Sequence, residues 1–411
     1  MVSVISNAKN ASHSIFLTLC VMGFFAILSS TMSKNPVLSP FATSLGTPAD
    51  MTGFVAAAST IPGILVSLPA ASLSDIFGRR RFLLLAGFVF ASAPFFYLFI
   101  TVWWQLILVR FYHGFATAIF VPVAEASVAE LSADKRGERI SLFSSATYVG
   151  RGIAPFLGGA ILFLTNDSYS TLYLAVGVAG VTAFVMALLF LVERKQPIVT
   201  HREEARDVFR RLYQGWGTII RNGVVLMASF VQASLYYTYG AVEFYLAGYL
   251  RTDLGFNSLL TSIVTGSLIV MPIFVRPYMG RLSDRVGRRA PIVVGLIVSG
   301  FSLLLIPFVK EFLILLLLAL VYGLGFATVT ASTPALVSEL VPAECIGASM
   351  GFLDMTMDIG QTVGSMISGF ILATSLGYYG VFPSLGIVLL AASIVFAVSR
   401  VAKKRKNESL S

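Results

Sequence analysis

The sequence predicts an all-α integral membrane protein with twelve transmembrane helices in two pseudo-symmetric halves of six. Of its 411 residues, 56% are hydrophobic and 12% are charged, whereas a soluble domain carries about a quarter charged residues. The apolar residues form continuous runs of roughly 18 to 28 residues, the length that a helix needs to cross a bilayer. They do not form the ten-residue alternating strands of a membrane barrel. In addition, segments of the first half of the chain recur in the second half, which indicates two related halves.

Twelve apolar segments follow one another along the chain. The third and fourth meet at Trp103 and Trp104, an aromatic pair typical of a turn at the headgroup level. The first is followed by no small-residue cleavage site, which favours a span over a signal peptide. The predicted spans are 14–34, 50–73, 83–101, 103–125, 141–164, 171–192, 223–248, 258–279, 291–309, 311–334, 347–373 and 378–399.

Basic residues predict the orientation of these spans. Of the 29 lysines and arginines, 23 lie in the termini and in loops on one side, and three lie inside spans. Only Lys34, Arg251 and Lys310 lie on the opposite side. Because cytoplasmic loops carry the excess of lysine and arginine, both termini are expected in the cytoplasm, with the protein in the cell membrane. The net charge of +9 therefore indicates no nucleic-acid partner.

The polar stretches divide the chain into two halves, 1–192 and 223–399. Residues 193–222 mix both signs of charge and are predicted to form a cytoplasmic linker with a surface helix. Residues 400–411 form a basic cytoplasmic tail. No soluble domain is visible, so we expect no appended enzyme and no cofactor, and the two cysteines give no disulfide framework.

The halves repeat one another at nearly constant displacement. Three matches at nearly one spacing indicate duplication, and two like-oriented halves around a midplane site are typical of transporters. The segment 71–80 recurs as 280–289, displaced by 209 residues; Gly114-Phe-Ala-Thr117 recurs as Gly325-Phe-Ala-Thr328, displaced by 211; and Gly150, Ala154 and Gly159 correspond to Gly360, Gly364 and Gly369, displaced by 210.

The segment 280–289 resembles the hallmark motif G-x-L-a-D-r-x-G-R-R/K of the major facilitator superfamily. The first copy departs from it at Ala71 and Ile76. The resemblance covers essentially the whole chain and implies the fold of that superfamily. It also implies a cluster that holds the cytoplasmic side shut in the outward-facing state. This cytoplasmic gate would comprise Asp75, Gly78, Arg79, Arg80, Asp284, Gly287, Arg288 and Glu130, with Glu125 nearby.

The fourth span carries Leu106-x-x-x-Arg110-x-x-His113-Gly114, which is similar to a pattern of proton-coupled members with histidine in place of glutamine. An arginine inside hydrocarbon is expensive, so Arg110 should face the bundle interior with a partner. Its role is either proton coupling or a structural hydrogen-bond hub. His113 is either a group that titrates near neutral pH or a packed polar residue.

The fifth span is similar to the antiporter signature g-x-x-x-G-P-x-x-G-G, which favours export by antiport. Small residues four apart and a proline also serve generic helix packing and a soft kink. The positions concerned are Gly150, Ala154 (in place of a glycine), Pro155, Gly158 and Gly159. Arg151 lies among them near the midplane, where it needs a carboxylate or an anionic substrate.

Acidic residues inside spans are the sharpest indication of a coupling site. Asp354 and Asp358 are four residues apart on the eleventh span, so they share a helix face. Asp358 is expected about 16 Å into the span, close to the midplane. A carboxylate there that alternates between protonated and ion-paired states is what proton-driven exchange requires. Glu243, towards the outer end of the seventh span, is either a third such group or a rim residue exposed to water.

Together these features predict a secondary active transporter, resembling the twelve-span drug:proton antiporters, that exports small organic molecules by alternating access. Its expected partners are a small-molecule substrate, protons and membrane lipid, and we expect a monomer. The alternatives are a transporter of a specific metabolite or anion, favoured by the intramembrane arginines, and a metal-ion transporter using Asp354-Met-Thr-Met-Asp358. A membrane-embedded enzyme that holds a divalent ion, or a channel, belongs to a different class.

Overall fold

The computed structural model describes residues 2–131, 136–191, 222–342 and 346–399. All regular elements in these ranges are helices, and they contain no strand. Nearly all of the predicted linker (193–221), and the basic tail (400–411), lie outside the described residues.

The first half of the chain forms eight described helices. They are α1 (Val2–Met32), α2 (Leu38–Ser44), α3 (Ala49–Ala57), α4 (Ile61–Phe77), α5 (Arg79–Phe96), α6 (Trp103–Glu130), α7 (Arg136–Leu164) and α8 (Tyr169–Phe190). The short helices α3 and α4 together form the predicted second span, with a turn between them.

The second half forms six described helices. They are α9 (Gly223–Gly248), α10 (Ser258–Val286), α11 (Arg289–Leu305), α12 (Phe312–Leu340), α13 (Ile346–Leu372) and α14 (Tyr378–Val398). One π-helical turn, Tyr249–Asp253, continues α9. Ten candidate spans among the described residues are long and apolar enough to cross a membrane, which confirms the predicted all-α membrane architecture.

Local sequence signals set several helix ends. Asn222 and Asn257 cap α9 and α10, because their side-chain oxygens accept bonds from the backbone N–H groups of Val224 and Leu260, each at 2.9 Å. Gly78 and Gly287 end α4 and α10 with φ of 98° and 86°, a backbone conformation that glycine adopts most readily. The two copies of the repeated motif therefore break the chain at the same place.

The chain divides into two compact units, one of residues 1–46 and 58–209, the other of residues 47–57 and 210–411. In the first unit, α1 packs on α7 and α8, and α5 packs on α6 and α8. Its core includes the fully buried rings of Phe90 and Phe120. In the second unit, α9 packs on α13, α12 packs on α10 and α11, and α3 lies against α13.

Candidate substrate and proton site

Two described helices are long enough to cross a membrane but are less apolar than the ten candidate spans. They are α9, with 26 residues, and α13, with 27. They carry the carboxylates of Glu243, Asp354 and Asp358, and they pack against each other in the second unit. Polar and ionisable residues in membrane helices are expensive and mark functional sites. The pair α9–α13 is therefore where a site should be sought.

Helix α13 has a polar face and a lipid face. Ile359, Val363 and Ile367 are 38%, 41% and 41% exposed and lie on one side of the helix, as expected of side chains that meet hydrocarbon. At 100° per residue, the opposite side carries a polar stripe. This α13 stripe consists of Asp354, which is exposed, Asp358 and Gln361, which are partly buried, and Ser365, which is buried.

Helix α9 carries a matching stripe. Residues spaced by four, three and four positions share a helix face. This α9 stripe consists of Gln232, Tyr236, Tyr239 and Glu243. Gln232 is buried, and the other three are partly buried, so they lie at an edge of the packed interior and not deep within it.

Side-chain contacts join the two stripes. The amide of Gln361 donates a hydrogen bond to the carboxylate of Glu243, Nε2 to Oε2, at 3.4 Å. Nearer the start of both helices, Gln232 Nε2 of α9 lies 3.8 Å from the sulfur of Met357 of α13. The other amide atom of Gln232, Oε1, is buried without a hydrogen-bond partner in the described part of the chain. Polar groups of both helices therefore line one surface of the second unit.

A close backbone approach holds α9 and α13 side by side. A methyl group added at Gly364 would lie 2.6 Å from the carbonyl carbon of Tyr237 and 2.7 Å from its Cα. One added at Gly360 would lie 3.0 Å from the Cα of Ala233. Small residues at such positions let membrane helices approach closely, and here they fix the spacing between the two stripes.

Aromatic rings complete this surface. Tyr239 stacks on Phe326 of α12 with centroids 4.8 Å apart, and Tyr236 meets the same ring edge-on at 5.4 Å. Behind them, the hydroxyl groups of Tyr322 and Thr238 are 3.1 Å apart and fully buried. We call Tyr236, Tyr239 and Phe326 the aromatic trio. The trio lies beside Glu243, which follows Tyr239 by one helical turn.

In the first unit, Arg110 lies in the packed interior, only 2% exposed. Its Nη2 donates to the hydroxyl of Ser59 at 2.5 Å, and it lies close enough to Tyr97 to interact electrostatically. Its Nε has no hydrogen-bond partner among the described residues. The sequence predicted that Arg110 faces the interior with a partner, and here the hydroxyl groups of Ser59 and Tyr97 lie beside it. A role of Arg110 in proton coupling stays a prediction.

His113 is 3% exposed and belongs to the same cluster. Its Nδ1 lies 3.3 Å from the hydroxyl of Tyr97, whose ring stacks on Tyr173 with centroids 4.2 Å apart and planes 8° apart. This geometry fits a packed polar residue. The role of His113 in coupling stays a prediction.

The antiporter-like segment packs α7 on α1. A methyl group on Gly150 would lie 2.5 Å from the carbonyl oxygen of Phe24, and Ala154 is fully buried. Arg151 is exposed and lies across the helix from the lipid-facing Val149 and Ile153, which are 50% and 40% exposed. Arg151 makes no hydrogen bond or ion pair within the described ranges. None of the described carboxylates is therefore the anionic partner that the sequence led us to expect beside it. Pro155, Gly158 and Gly159 lie on the same helix.

The first copy of the repeated motif forms a charged cluster at the end of α4. Arg79 pairs with Asp75 at 2.7 Å and donates hydrogen bonds to both carboxylate oxygens of Glu130, at 2.5 and 2.9 Å. Its neighbour Arg80 donates to the carbonyl oxygen of Leu191 at the end of α8. Partial burial raises the pKa of Asp75, Arg79 lowers it and Glu130 raises it, with a net rise.

The second copy repeats this geometry. Arg288 pairs with Asp284 and donates to Glu339 at 2.8 and 3.0 Å, and Arg289 donates to the carbonyl oxygen of Ala397 at the end of α14. Glu339 was not among the residues singled out from the sequence. The repeat could have found it, because Glu339 follows Glu130 by 209 residues, the displacement of the motif itself.

Comparison with known proteins decides the family. The profile of the Major Facilitator Superfamily matches residues 19–275 and 228–411. The chain belongs to the Major Facilitator Superfamily. It is 26% identical over 375 residues to the multi-drug resistance efflux pump PmrA of Streptococcus pneumoniae, covering 89% of this chain and 91% of the pump. It is 23% identical over 387 residues to an uncharacterized MFS-type transporter of Methanocaldococcus jannaschii, covering 92% and 94%.

A solved superfamily structure agrees in fold. The crystal structure of a D-xylose-proton symporter superposes with a TM-score of 0.74 at 16% identity, covering 93% of this chain and 97% of that one. At this identity the likeness shows the fold alone. The resemblance stated from the motifs and the superfamily fold are both confirmed, and the chain is a multi-pass membrane transporter.

Within this superfamily fold, the predicted site residues fall into three groups. Asp354, Asp358 and Glu243 lie on the packed pair α9–α13, Arg110 and His113 lie in the interior of the first unit, and the gate residues lie in the two charged clusters. Sequence reasoning missed the aromatic trio and Gln361. Helical spacing from Glu243 and Asp358 would have found Tyr236, Tyr239 and Gln361, whereas Phe326 comes from a separate helix and carries no such signal.

Proposed function

We propose that this transporter exports small organic molecules in exchange for protons, by alternating access, from the cytoplasmic face of the cell membrane on which both termini lie. The observation that carries the proposal is the placement of three carboxylates, Glu243, Asp354 and Asp358, on two packed helices of spanning length. Among the described helices of spanning length, these are the two that are not apolar enough to count as candidate spans.

The chemistry of these carboxylates supports proton exchange. A carboxylate inside a membrane protein is expensive to ionise unless it is hydrated or paired. On the α13 stripe, Asp354 is exposed, and Asp358, one turn further along, is partly buried. A proton and a substrate can therefore compete for the same groups, since protonation removes the charge with which a substrate would pair. Such competition is the physical requirement for antiport.

The direction of transport rests on two further observations. PmrA is named as a multi-drug resistance efflux pump, and α7 carries the antiporter-like segment with its close packing on α1. The repeats also differ at the positions that matter for coupling. Ser144 and Tyr148 of α7 correspond to Asp354 and Asp358 of α13 at a displacement of 210 residues. The carboxylate pair is thus a feature of the second repeat alone, as expected of a specialised coupling site.

One observation favours a second candidate, a transporter of an anionic metabolite. Arg151 is exposed, lies across α7 from the lipid-facing side chains and has no ion pair among the described residues. It could bind the carboxylate or phosphate of a substrate, to which arginine presents a planar pair of donors. Arg151→Gln tests this candidate. If the variant lost transport of an anionic substrate but kept proton-coupled transport of a cationic or neutral one, the result would favour anion transport over the first candidate.

Proton-driven transport in liposomes tests the proposal, with a substrate found by thermal-shift screening of the purified protein. We expect Asp358→Asn to abolish transport driven by a pH gradient and to leave counterflow exchange of substrate intact. The reason is that the amide takes up and releases no proton, whereas counterflow exchange requires no net movement of protons. Asp167→Asn is the matched control, since Asp167 lies in the α7–α8 loop at φ 60°, where asparagine is also tolerated. Normal gradient-driven transport by Asp358→Asn would refute the assignment.

A further inference from the structure

We propose that Arg276 of α10 is a positioning residue for the end segment of α12, residues 331–340, which carries Glu339 of the second charged cluster. Arg276 holds this segment by donating a hydrogen bond to a backbone carbonyl group that Pro334 leaves without its helical partner. The inference concerns the packing of two helices within the second unit, and it rests on neither proton coupling nor the direction of transport.

The middle of α12 has weakened backbone hydrogen bonds. Pro334 lies inside the helix and has no N–H group, so the carbonyl oxygen of Thr330, four residues earlier, cannot accept the bond of a regular helix. Hydroxyl groups also bond to the carbonyl oxygens around it, which weakens and bends helices. The donors, all buried, are Thr328, Thr330, Ser332 and Thr333, and the acceptors are the carbonyl oxygens of Leu324, Phe326, Thr328 and Val329.

Arg276 supplies the donor that Pro334 removes. Its Nη2 lies 3.1 Å from the carbonyl oxygen of Thr330. Thr330 is only 3% exposed, and a buried carbonyl group without a partner costs free energy. An arginine inside a span is also expensive unless it pairs, for instance with a backbone carbonyl group. The bond between Arg276 and Thr330 therefore stabilises both helices.

The two helices are placed for this bond. A methyl group added at Gly323 of α12 would lie 2.9 Å from the Cβ of Met271 of α10, so the helices approach closely about one and a half turns before Arg276. Phe274 and Tyr278, which are 68% and 65% exposed, mark the lipid-facing side of α10. Arg276 lies two residues from each, roughly 200° around the helix, and so lies on the side away from lipid.

The described part of the first unit lacks this arrangement. Its helix α6 also contains a proline, Pro122, but the position that corresponds to Arg276 at a displacement of 209 residues is Ser67. Within the described ranges, no side chain donates a hydrogen bond to the carbonyl oxygen of Ala118, the group that Pro122 leaves without its helical partner. The bond between Arg276 and Thr330 is thus a feature of the second repeat, and Pro122 offers a matched control.

The end segment of α12 leads to the cytoplasmic gate. Glu339 accepts hydrogen bonds from Arg288 at 2.8 and 3.0 Å. When the end segment loses its bond at Thr330, Glu339 moves with it. Arg276 therefore acts on the second charged cluster through the backbone of α12 and without contacting the gate arginine.

Hydrogen exchange of the purified full-length protein in detergent, followed by mass spectrometry, tests the inference. Arg276→Met removes the donor and keeps a long side chain, so we expect the end segment of α12 to exchange about tenfold or more faster, with the peptides of α6 unchanged. Arg276→Lys, which keeps a donor, should give a smaller increase. Arg281→Met, at an exposed position on the same helix, is the matched control and should change neither.

Pro334→Ala separates this role from general destabilisation. Alanine restores the N–H group that bonds to Thr330, so Arg276→Met should have no effect on the end segment when Pro334→Ala is also present. Pro122→Ala should not suppress the effect of Arg276→Met. If Arg276→Met alone fails to fold, recovery of folded protein on adding Pro334→Ala supports the inference, and no recovery rejects it.

Two results of the exchange experiment would overturn the inference. One is unchanged exchange of the end segment in Arg276→Met, and the other is an equal effect of Arg276→Met with and without Pro334→Ala. These measurements involve no proton gradient and no transport, so a failure of the proposed function would leave this inference standing, and the reverse also holds.

Discussion

The spacing of α9 and α13 makes Gly364→Ala a decisive substitution. An added methyl group would lie 2.7 Å from the Cα of Tyr237 and 2.6 Å from its carbonyl carbon, whereas ordinary contact begins at 3.4 Å. Both neighbours are backbone atoms, so no side chain can move aside. The carbonyl oxygen of Tyr237 would lie closer still. The helices must therefore separate locally by roughly 0.8 Å or more, and overpacking of this kind destabilises by about 1–3 kcal/mol.

The same displacement reaches the candidate site. The bond between Gln361 and Glu243 is already 3.4 Å long, so a further separation of roughly 0.8 Å or more breaks it. We therefore expect Gly364→Ala to lower both the thermal stability of the purified protein and its affinity for a substrate found by thermal-shift screening. The assays are thermal unfolding in detergent and equilibrium binding.

The chain supplies its own control for this substitution. Gly280 has no neighbouring atom within 4 Å of an added methyl group, and the first repeat carries Ala71 at the equivalent position. Gly280→Ala should leave stability unchanged or raise it, because alanine favours a helix over glycine by about 1 kcal/mol. If Gly364→Ala were as stable as Gly280→Ala and bound the substrate equally well, the packing argument would be wrong.

Three further predictions concern the first unit. Because the pKa of Asp75 is raised in the folded protein, the folded state takes up this proton at a higher pH than the unfolded chain. The stability of wild type relative to Asp75→Asn should then rise as the pH falls from 7 towards about 4 in thermal unfolding, and the opposite slope would contradict the assignment. If the charged cluster holds the cytoplasmic side shut, Asp75→Asn should also shift cysteine accessibility towards the inward-open state. Ser59→Ala removes the acceptor of the Arg110 hydrogen bond and should destabilise the protein by about 1–3 kcal/mol. Ser145→Ala, at an exposed bond within α7, should not.

The helices were predictable because few backbone structures are stable in the hydrocarbon of a bilayer. A backbone in a bilayer must satisfy its own polar groups, so continuous apolar runs had to be helices. The breaks at Gly78 and Gly287, where φ is positive, lie at the glycine that both copies of the motif share. The division of the second span into α3 and α4 was not predicted, although Pro62 and Gly63 in the first turn of α4 could have indicated it.

The candidate site was predictable only along single helices. The shared face of Asp354 and Asp358 follows from helical periodicity, and the structure adds Gln361 and Ser365 to it. Which helix faces this stripe depends on close approaches such as that of Gly364 to Tyr237. Those depend on packing between segments far apart in sequence, which periodicity does not encode. The same holds for Phe326, and for the hydroxyl partners that Arg110 finds on Ser59 and Tyr97.

The roles assigned to the predicted residues differ in how directly the geometry supports them. The gate arginines Arg79 and Arg288 each hold two carboxylates, but exposed ion pairs are worth only about 0–1 kcal/mol each. They are thus suited to bias a conformational equilibrium and not to hold the fold. The carboxylates of α9 and α13 lie on helices of spanning length, where ionisation costs free energy unless the group is hydrated or paired, and their part in proton exchange is the proposal made above.

Proton release on substrate binding tests the central claim most directly. The purified protein, in weakly buffered detergent solution, receives a substrate found by thermal-shift screening, and the pH is followed. We predict that wild type releases protons as substrate binds, and that the Asp354→Asn, Asp358→Asn double variant binds substrate but releases none. Substrate binding by wild type without proton release, or equal release from the double variant, would contradict the claim that these carboxylates exchange protons for substrate.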